Sequence, residues 1–140
     1  MKVLDGSCLC GGIAYQIIGP LMGTLNCHCI MCRKAHGAAF RTRATIKTAD
    51  FIFIKGEHLL HYYESSPGEH RSFCKTCGSV IITRFDNHPK YLGFALGTLD
   101  TDPEVKIEQH VFTDFKAPWF DINDDLPQSK EFPPKPTKTA

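Results

Sequence analysis

Seven cysteines in three tight groups constrain this chain more than any other feature of it. They stand as Cys8-Leu9-Cys10, Cys27-His28-Cys29-Ile30-Met31-Cys32 and Cys74-Lys75-Thr76-Cys77. Thiols this dense read as metal ligands rather than disulfides, because an odd number cannot pair completely and a reducing cytosol opposes pairing altogether. Seven divides naturally into four and three. Four thiolates close a tetrahedral zinc site, which is then structural, whereas three protein ligands leave the fourth position for water or substrate, the arrangement of catalytic zinc. The expectation is two Zn2+ per chain, one structural and one catalytic.

Which cysteines form which set is a question of chain geometry. A structural site gains most by joining distant segments, and Cys8 and Cys10 with Cys74 and Cys77 would do that. Cys27, Cys29 and Cys32 then remain as a compact triad that supplies three ligands without a distant partner. Spacing alone also admits Cys8, Cys10, Cys27 and Cys29 as the closed set with Cys32, Cys74 and Cys77 as the open one, although the first division is favoured. A competing reading makes both sites staples, with His28, His36 or another histidine completing the second as a Cys3His set.

At 140 residues, 42% of them hydrophobic, the chain can close one core of ordinary size. Lys and Arg number 16 against 15 Asp and Glu, for a formal charge of +1, so no overall basic field supports nucleic-acid binding. Met1 to Ser7 include an acid and lack the apolar run of a signal peptide, and no stretch reaches membrane-spanning length. These features lead us to expect a cytoplasmic protein with no nucleic-acid or membrane partner.

Short strands dominate the pattern. Gly11 to Ile18, Leu21 to Asn26, the alternating Ala38 to Ile46, Phe51 to Ile54, Leu59 to Tyr63, His70 to Phe73, Ser79 to Phe85, Tyr91 to Leu99 and Val105 to Phe112 are strand candidates, separated by glycine, proline or polar punctuation. Cys29 to His36 favours a short helical turn that Gly37 would end, with Cys29 and Cys32 on one face. A C-x-x-C followed by Gly78 between two strand candidates looks like a zinc knuckle. Beyond Trp119, Pro127, Pro133, Pro134 and Pro136 crowd together, so residues 121–140 read as a Pro-rich tail without regular structure, following a zinc-binding domain over 1–120. The fold class expected is mainly β, an antiparallel domain stitched by zinc, with little helix.

Other side chains are weighed one by one. Arg33 and Lys34 follow Cys32 directly, and cations beside zinc-bound thiolates offset their charge and could attract an anionic ligand. Arg33 is the first candidate for contacting that ligand, with Arg41 and Arg43 weaker; Lys34 alone is explained as a helix-end cation. His28, between two ligands, is expected to point away from the metal they share, as a supporting or surface group. His36 and His110 are expected to face solvent or to be satisfied in the core. Trp119 reads as a core or strap anchor for the tail, with a pocket wall as the lesser reading, and Phe51, Phe53, Tyr62 and Tyr63 read as core.

Taken together, Gly6-Ser7-Cys8-Leu9-Cys10-Gly11-Gly12, Cys27-His28-Cys29-Ile30-Met31-Cys32-Arg33-Lys34, Arg71-Ser72-Phe73-Cys74-Lys75-Thr76-Cys77-Gly78-Ser79, Gly97-Thr98-Leu99-Asp100, and His110 with Lys116-Ala117-Pro118-Trp119 resemble the glutathione-dependent formaldehyde-activating enzyme (Gfa) family, also called the centromere protein V domain. The motifs span nearly the whole chain in order. The resemblance implies an Mss4-like β fold, a structural zinc on Cys8, Cys10, Cys74 and Cys77, and a catalytic one on Cys27, Cys29 and Cys32. It also implies a carbon-sulfur lyase type of activity on a thiol and aldehyde adduct, with glutathione and formaldehyde giving S-hydroxymethylglutathione. His110 gains interest only through this resemblance. The other class to be weighed is a non-catalytic zinc module acting through protein or chromatin contacts, against which an open three-cysteine site argues for chemistry.

Overall fold

The structure, a computed structural model, describes residues 2–132. Its strands are β1 (Leu4–Ser7), β2 (Ala14–Ile17), β3 (Met22–Cys27), β4 (Arg41–Lys47), β5 (Phe51–Lys55), β6 (Leu60–Ser66), β7 (Glu69–Cys74), β8 (Val80–Phe85), β9 (Tyr91–Ala95), β10 (Gln109–Val111) and β11 (Gln128–Ser129). One α-helix, α1 (Ile30–His36), lies among them. The protein is thus mainly β, as its punctuated alternating pattern predicts. Among the described residues no helix is long and apolar enough to cross a membrane.

The chain forms two compact units, the first from the described residues up to Gly23 together with Arg43–Val105. Here β1, β2 and β5 make one antiparallel sheet, and β4, β9, β8, β7 and β6 follow one another in a second. Period-two alternation decides what each strand buries. In β2, Tyr15 and Ile17 point inward; in β5, Phe51 is buried while Ile52 and Ile54 are exposed. These meet Ala44, Ile46, Ile82, Leu92 and Phe94 from the other sheet in one apolar core. Tyr15 is its centre, stacked on Phe51 at 4.4 Å and edge-on to Phe94 at 6.3 Å. Gly6 stands opposite Tyr15 in the β1–β2 register, and a side chain built on Gly6 would fall inside the tyrosine ring.

The second unit comprises Thr24–Thr42 and the described residues from Lys106 onward. Strand β10 runs parallel to β3, pairing His110 with Asn26 and Val111 with Cys27, and β11 runs parallel to β10 on its other side. Helix α1 follows β3 after two residues, His28 and Cys29. Cys29 is its N-cap, its sulfur accepting from the Cys32 amide at 3.3 Å. Gly37 ends it at φ 57°, where its N–H reaches the Arg33 carbonyl, the left-handed closure for which glycine is the usual residue.

Several expectations need correction. Strand β1 carries no apolar run and was not expected; the backbone of a short segment flanking β2 suffices to form it. The pairing is antiparallel in the first unit, but β10 joins its neighbours in parallel. Part of the tail also has regular structure, since Gln128–Ser129 forms β11 and the amides of His110 and Phe112 donate to the carbonyls of Pro127 and Glu131 at 2.9 Å. Pro133, Pro134 and Pro136 lie outside the described residues. Tyr62 and Tyr63 are exposed rather than core: β6 is the last strand of its sheet, and its residues from His61 to Glu64 are exposed on both faces.

Candidate metal centres and active site

In the first unit the hairpin of β7 and β8 holds Cys74 and Cys77, and the turn between β1 and β2 holds Cys8 and Cys10. Their four sulfurs lie within 4.8 Å of one another. Cys8 and Cys10 are 3.6 Å apart and Cys10 and Cys74 3.9 Å, close to the ~3.8 Å that thiolates about 2.3 Å from one tetrahedral zinc would show. Backbone shape makes this approach feasible. Gly11 and Gly78, each just after a cysteine pair, have φ of 76° and 82°, and their amides donate to the carbonyls of Cys8 and Cys74 at 3.0 and 2.7 Å. Other amides turn onto the sulfurs, Ile13 N–H to Cys8 at 3.2 Å and Gly12 N–H to Cys10 at 3.4 Å.

In the second unit Cys27 ends β3, Cys29 caps α1 and Cys32 sits in its first turn. Their sulfurs also lie within 4.8 Å of one another. Cys27 and Cys32 are buried with Leu25 and Val111, and Cys29 and Phe112 pack at the edge of this cluster. All seven cysteines are free.

Electrostatics shows what such clusters require. The Ser79 hydroxyl, then the Ser79 and Cys10 amides, draw Cys77 down to about 5. The Gly12 amide favours the Cys10 thiolate, yet Cys8, burial and the other two thiols together push Cys10 up to about 11. In the triad, Cys29 and Cys32, followed by burial, push Cys27 far above the ordinary thiol value. Thiols this close cannot all ionise beside one another unless a cation is shared among them. Sets of four and three soft sulfurs at these separations fit a borderline-soft dication such as zinc, so both clusters could hold metal ions.

A third group, Glu64, His70 and Asp86, also gathers ligand atoms within 4.8 Å. It is an open surface cluster in which His70 Nε2 is 3.1 Å from Asp86 and 4.0 Å from Glu64.

Arg33 and Lys34 stand on α1 directly after Cys32. Ile30, Arg33, Lys34 and Gly37 follow the i, i+3, i+4, i+7 spacing of one helix face, and with Ala38 and Trp119 they line a cavity of about 450 Å³. Arg33 Nη1 donates to the Phe115 carbonyl at 3.1 Å. Trp119 is 69% exposed, so it is a wall of this cavity and not a core anchor. Arg41 is buried at the start of β4, and Arg43 Nη1 reaches Thr45 at 3.3 Å.

His28 is fully buried, which excludes the surface role considered for it. Its Nε2 is 2.8 Å from Nδ1 of His110, and His110 Nε2 is 2.9 Å from Oδ2 of Asp124. Phe40 and Phe120 stand beside the His28 ring, centroids at 5.0 and 6.2 Å. Burial, then the fields of His110, Lys116 and Arg33, pushes His28 down to about 4, while the His110 hydrogen bond holds Asp124 below the ordinary carboxylate value. His110 is buried as one of the two expected alternatives, satisfied in the interior. Asp124 was missed: it is one of several acids in Asp121-Ile122-Asn123-Asp124-Asp125, and only its partner distinguishes it.

A mainly β chain whose cysteines gather in one set of four and one set of three belongs to the class of small β proteins in which thiol clusters could hold metal ions. Residues 3–115 match the family described as "Glutathione-dependent formaldehyde-activating enzyme", and the chain belongs to that family. A protein of Halomonas elongata described as "Putative glutathione-dependent formaldehyde-activating enzyme" is 27% identical over 128 residues, covering 86% of this chain and 81% of its own. The crystal structure of a Rhodobacter sphaeroides protein shares the fold with a TM-score of 0.59 at 21% identity, over 74% of this chain and 96% of its own.

Proposed function

We propose that this protein is a zinc-dependent enzyme of the carbon-sulfur lyase type that joins a small thiol to an aldehyde, with glutathione and formaldehyde giving S-hydroxymethylglutathione. The observation that carries the reading is the convergence of only three sulfurs, from Cys27, Cys29 and Cys32, in a chain of this family. In this reading these three cysteines hold a catalytic zinc, and Cys8, Cys10, Cys74 and Cys77 hold a structural one. When bound, the catalytic zinc would supply Lewis acidity and lower the pKa of a thiol that reaches its open position.

The chain's own groups supply binding. The cavity beside α1 offers Arg33 and Lys34 to the carboxylates of a peptide-like thiol and the Trp119 face to its apolar part. The buried setting of Cys27 and Cys32 keeps bulk water from the cluster. The thiol sulfur adds to the carbonyl carbon, and the carbonyl oxygen gains the proton that the thiol gave up. A cytoplasmic location belongs to the same reading, since seven free thiols persist in a reducing compartment.

The test is the rate of glutathione and formaldehyde adduct formation, followed by NMR exchange in zinc-supplemented protein, for wild type and Cys29→Ser. Acceleration in wild type that is lost in the variant supports the reading. Rates equal to the uncatalysed value in both would remove it and leave a zinc module acting through macromolecular contacts.

A further inference from the structure

Phe112 holds a backbone conformation that bulky side chains avoid. Its φ is 58° and its ψ 40°, a left-handed geometry that for a residue of this size is an outlier and persists only where the surroundings impose it. Here they do. The Phe112 amide donates to the Glu131 carbonyl at 2.9 Å, and just beyond it the Thr113 hydroxyl and the Asp114 amide donate to the Ser129 and Lys130 carbonyls at 3.2 Å. On its other side the Phe112 carbonyl accepts from the Phe115 amide at 3.0 Å. The ring stands edge-on to Phe132 at 5.2 Å and tilted to Phe115 at 6.3 Å.

The kink changes where the ring goes. In a regular strand successive side chains face opposite ways. Val111, opposite Cys27 in the β10–β3 register, is buried in the cluster of Cys27 and Cys32, so a Phe112 that continued β10 would turn away from the thiols. The left-handed turn breaks the alternation, and Val111 and Phe112 pack on the same thiol cluster. Leu25, Cys27, Cys32 and Val111 are buried there, whereas Cys29 and Phe112 are partly exposed. A molecule arriving from solvent therefore meets Cys29 and the Phe112 ring first. Sulfur against an aromatic ring is a favourable contact, so the ring rests on the cluster without needing a polar partner.

We propose that Phe112 is a specificity-determining residue of the three-cysteine site, its ring covering the Cys29 side of the cluster and limiting by size what reaches the sulfurs or a metal they hold. The strained backbone is what aims the ring at the cluster. A site covered in this way admits a one-carbon aldehyde and turns away a bulky electrophile. The choice of aldehyde as the admitted molecule rests on the thiol-plus-aldehyde reading, whereas the size limit belongs to the cluster itself.

Alkylation of the zinc-loaded chain tests it. Iodoacetamide serves as the compact reagent and an N-aryl maleimide as the bulky one, with modification read cysteine by cysteine by mass spectrometry. Phe112→Gly removes the ring and suits the backbone. Relative to wild type, it should lower the compact-to-bulky rate ratio at Cys29 by about tenfold, the scale on which an apolar pocket discriminates by size. The rates at Cys8, Cys10, Cys74 and Cys77 should stay as in wild type. Phe112→Leu keeps a smaller cover and should give an intermediate ratio with the same four rates unchanged. A wild-type ratio in both variants overturns the proposal. A rise shared by all seven cysteines in both variants overturns it equally, because the ring would then be a packing residue and nothing more. The rate of formaldehyde adduct formation judges the function separately: a size limit without acceleration removes the reaction and keeps the cover, and acceleration without a size limit does the reverse.

Discussion

The Nε2 of His28 and the Nδ1 of His110 share a hydrogen bond of 2.8 Å although the residues are 82 positions apart in the chain. Both rings are buried, so these two nitrogens depend on each other for a partner. His110→Phe leaves His28 Nε2 without its partner in a site where His28 Nδ1 already has none among the described residues. The expected loss is about 1–3 kcal/mol, read by urea denaturation of zinc-loaded protein. The double variant His28→Phe with His110→Phe should cost less than the sum of the two single changes. Additive costs would show that the bond contributes nothing in the folded state.

The two thiol clusters should differ in what they support. Zinc analysis of supplemented protein is expected to give two ions per chain, with all seven thiols titrating after denaturation. Cys77→Ser breaks a set joining segments more than sixty positions apart, such as Cys10 and Cys74, and metal bound there is folding free energy. It should lower the melting temperature by about 10 °C or more, or prevent soluble expression. Cys29→Ser alters a set confined to one loop and helix, and the domain should stay folded. The reverse order in thermal denaturation would show that the structural and open sets had been exchanged.

Gly6 lets the Tyr15 ring lie directly over the backbone of β1. In Gly6→Ala the new methyl meets the ring of a tyrosine that is 1% exposed and stacked on Phe51, so the ring has nowhere to yield. Overpacking of this kind costs about 1–3 kcal/mol. Thermal denaturation should show the loss, and Gly6→Ala combined with Tyr15→Ala should recover part of it relative to Tyr15→Ala alone.

Tyr15 also makes stability depend on alkaline pH. Burial raises its phenol well above the ordinary value of 10.0, more than the Thr98 hydrogen bond lowers it. A group whose folded pKa is raised contributes stability that is fully present below its unfolded pKa and is lost as pH rises toward the folded value. Wild type should therefore lose stability above about pH 10 relative to Tyr15→Phe. Phenolate absorbance should show one tyrosine ionising only as the protein unfolds; ionisation of all four in the folded state would refute this.

The sequence alone determined the features set by short spacings. Cysteines two or three residues apart must share a neighbourhood, alternation in β2 and β5 fixes which aromatics face inward, and Gly37 ends α1 where a left-handed residue is needed. The order of the motifs also made the family legible. Only the tertiary structure decided which distant groups meet. Parallel pairing of β10 with β3 places His110 beside the turn that carries His28, and the chain's return through β11 lets Asp124 reach His110. Trp119 became a cavity wall and Tyr63 a surface residue for the same reason. Local patterns record whether a side chain prefers burial, but a hydrogen bond between buried histidines, or an apolar ring left uncovered, depends on which segment lies opposite, and that is settled by packing the whole unit.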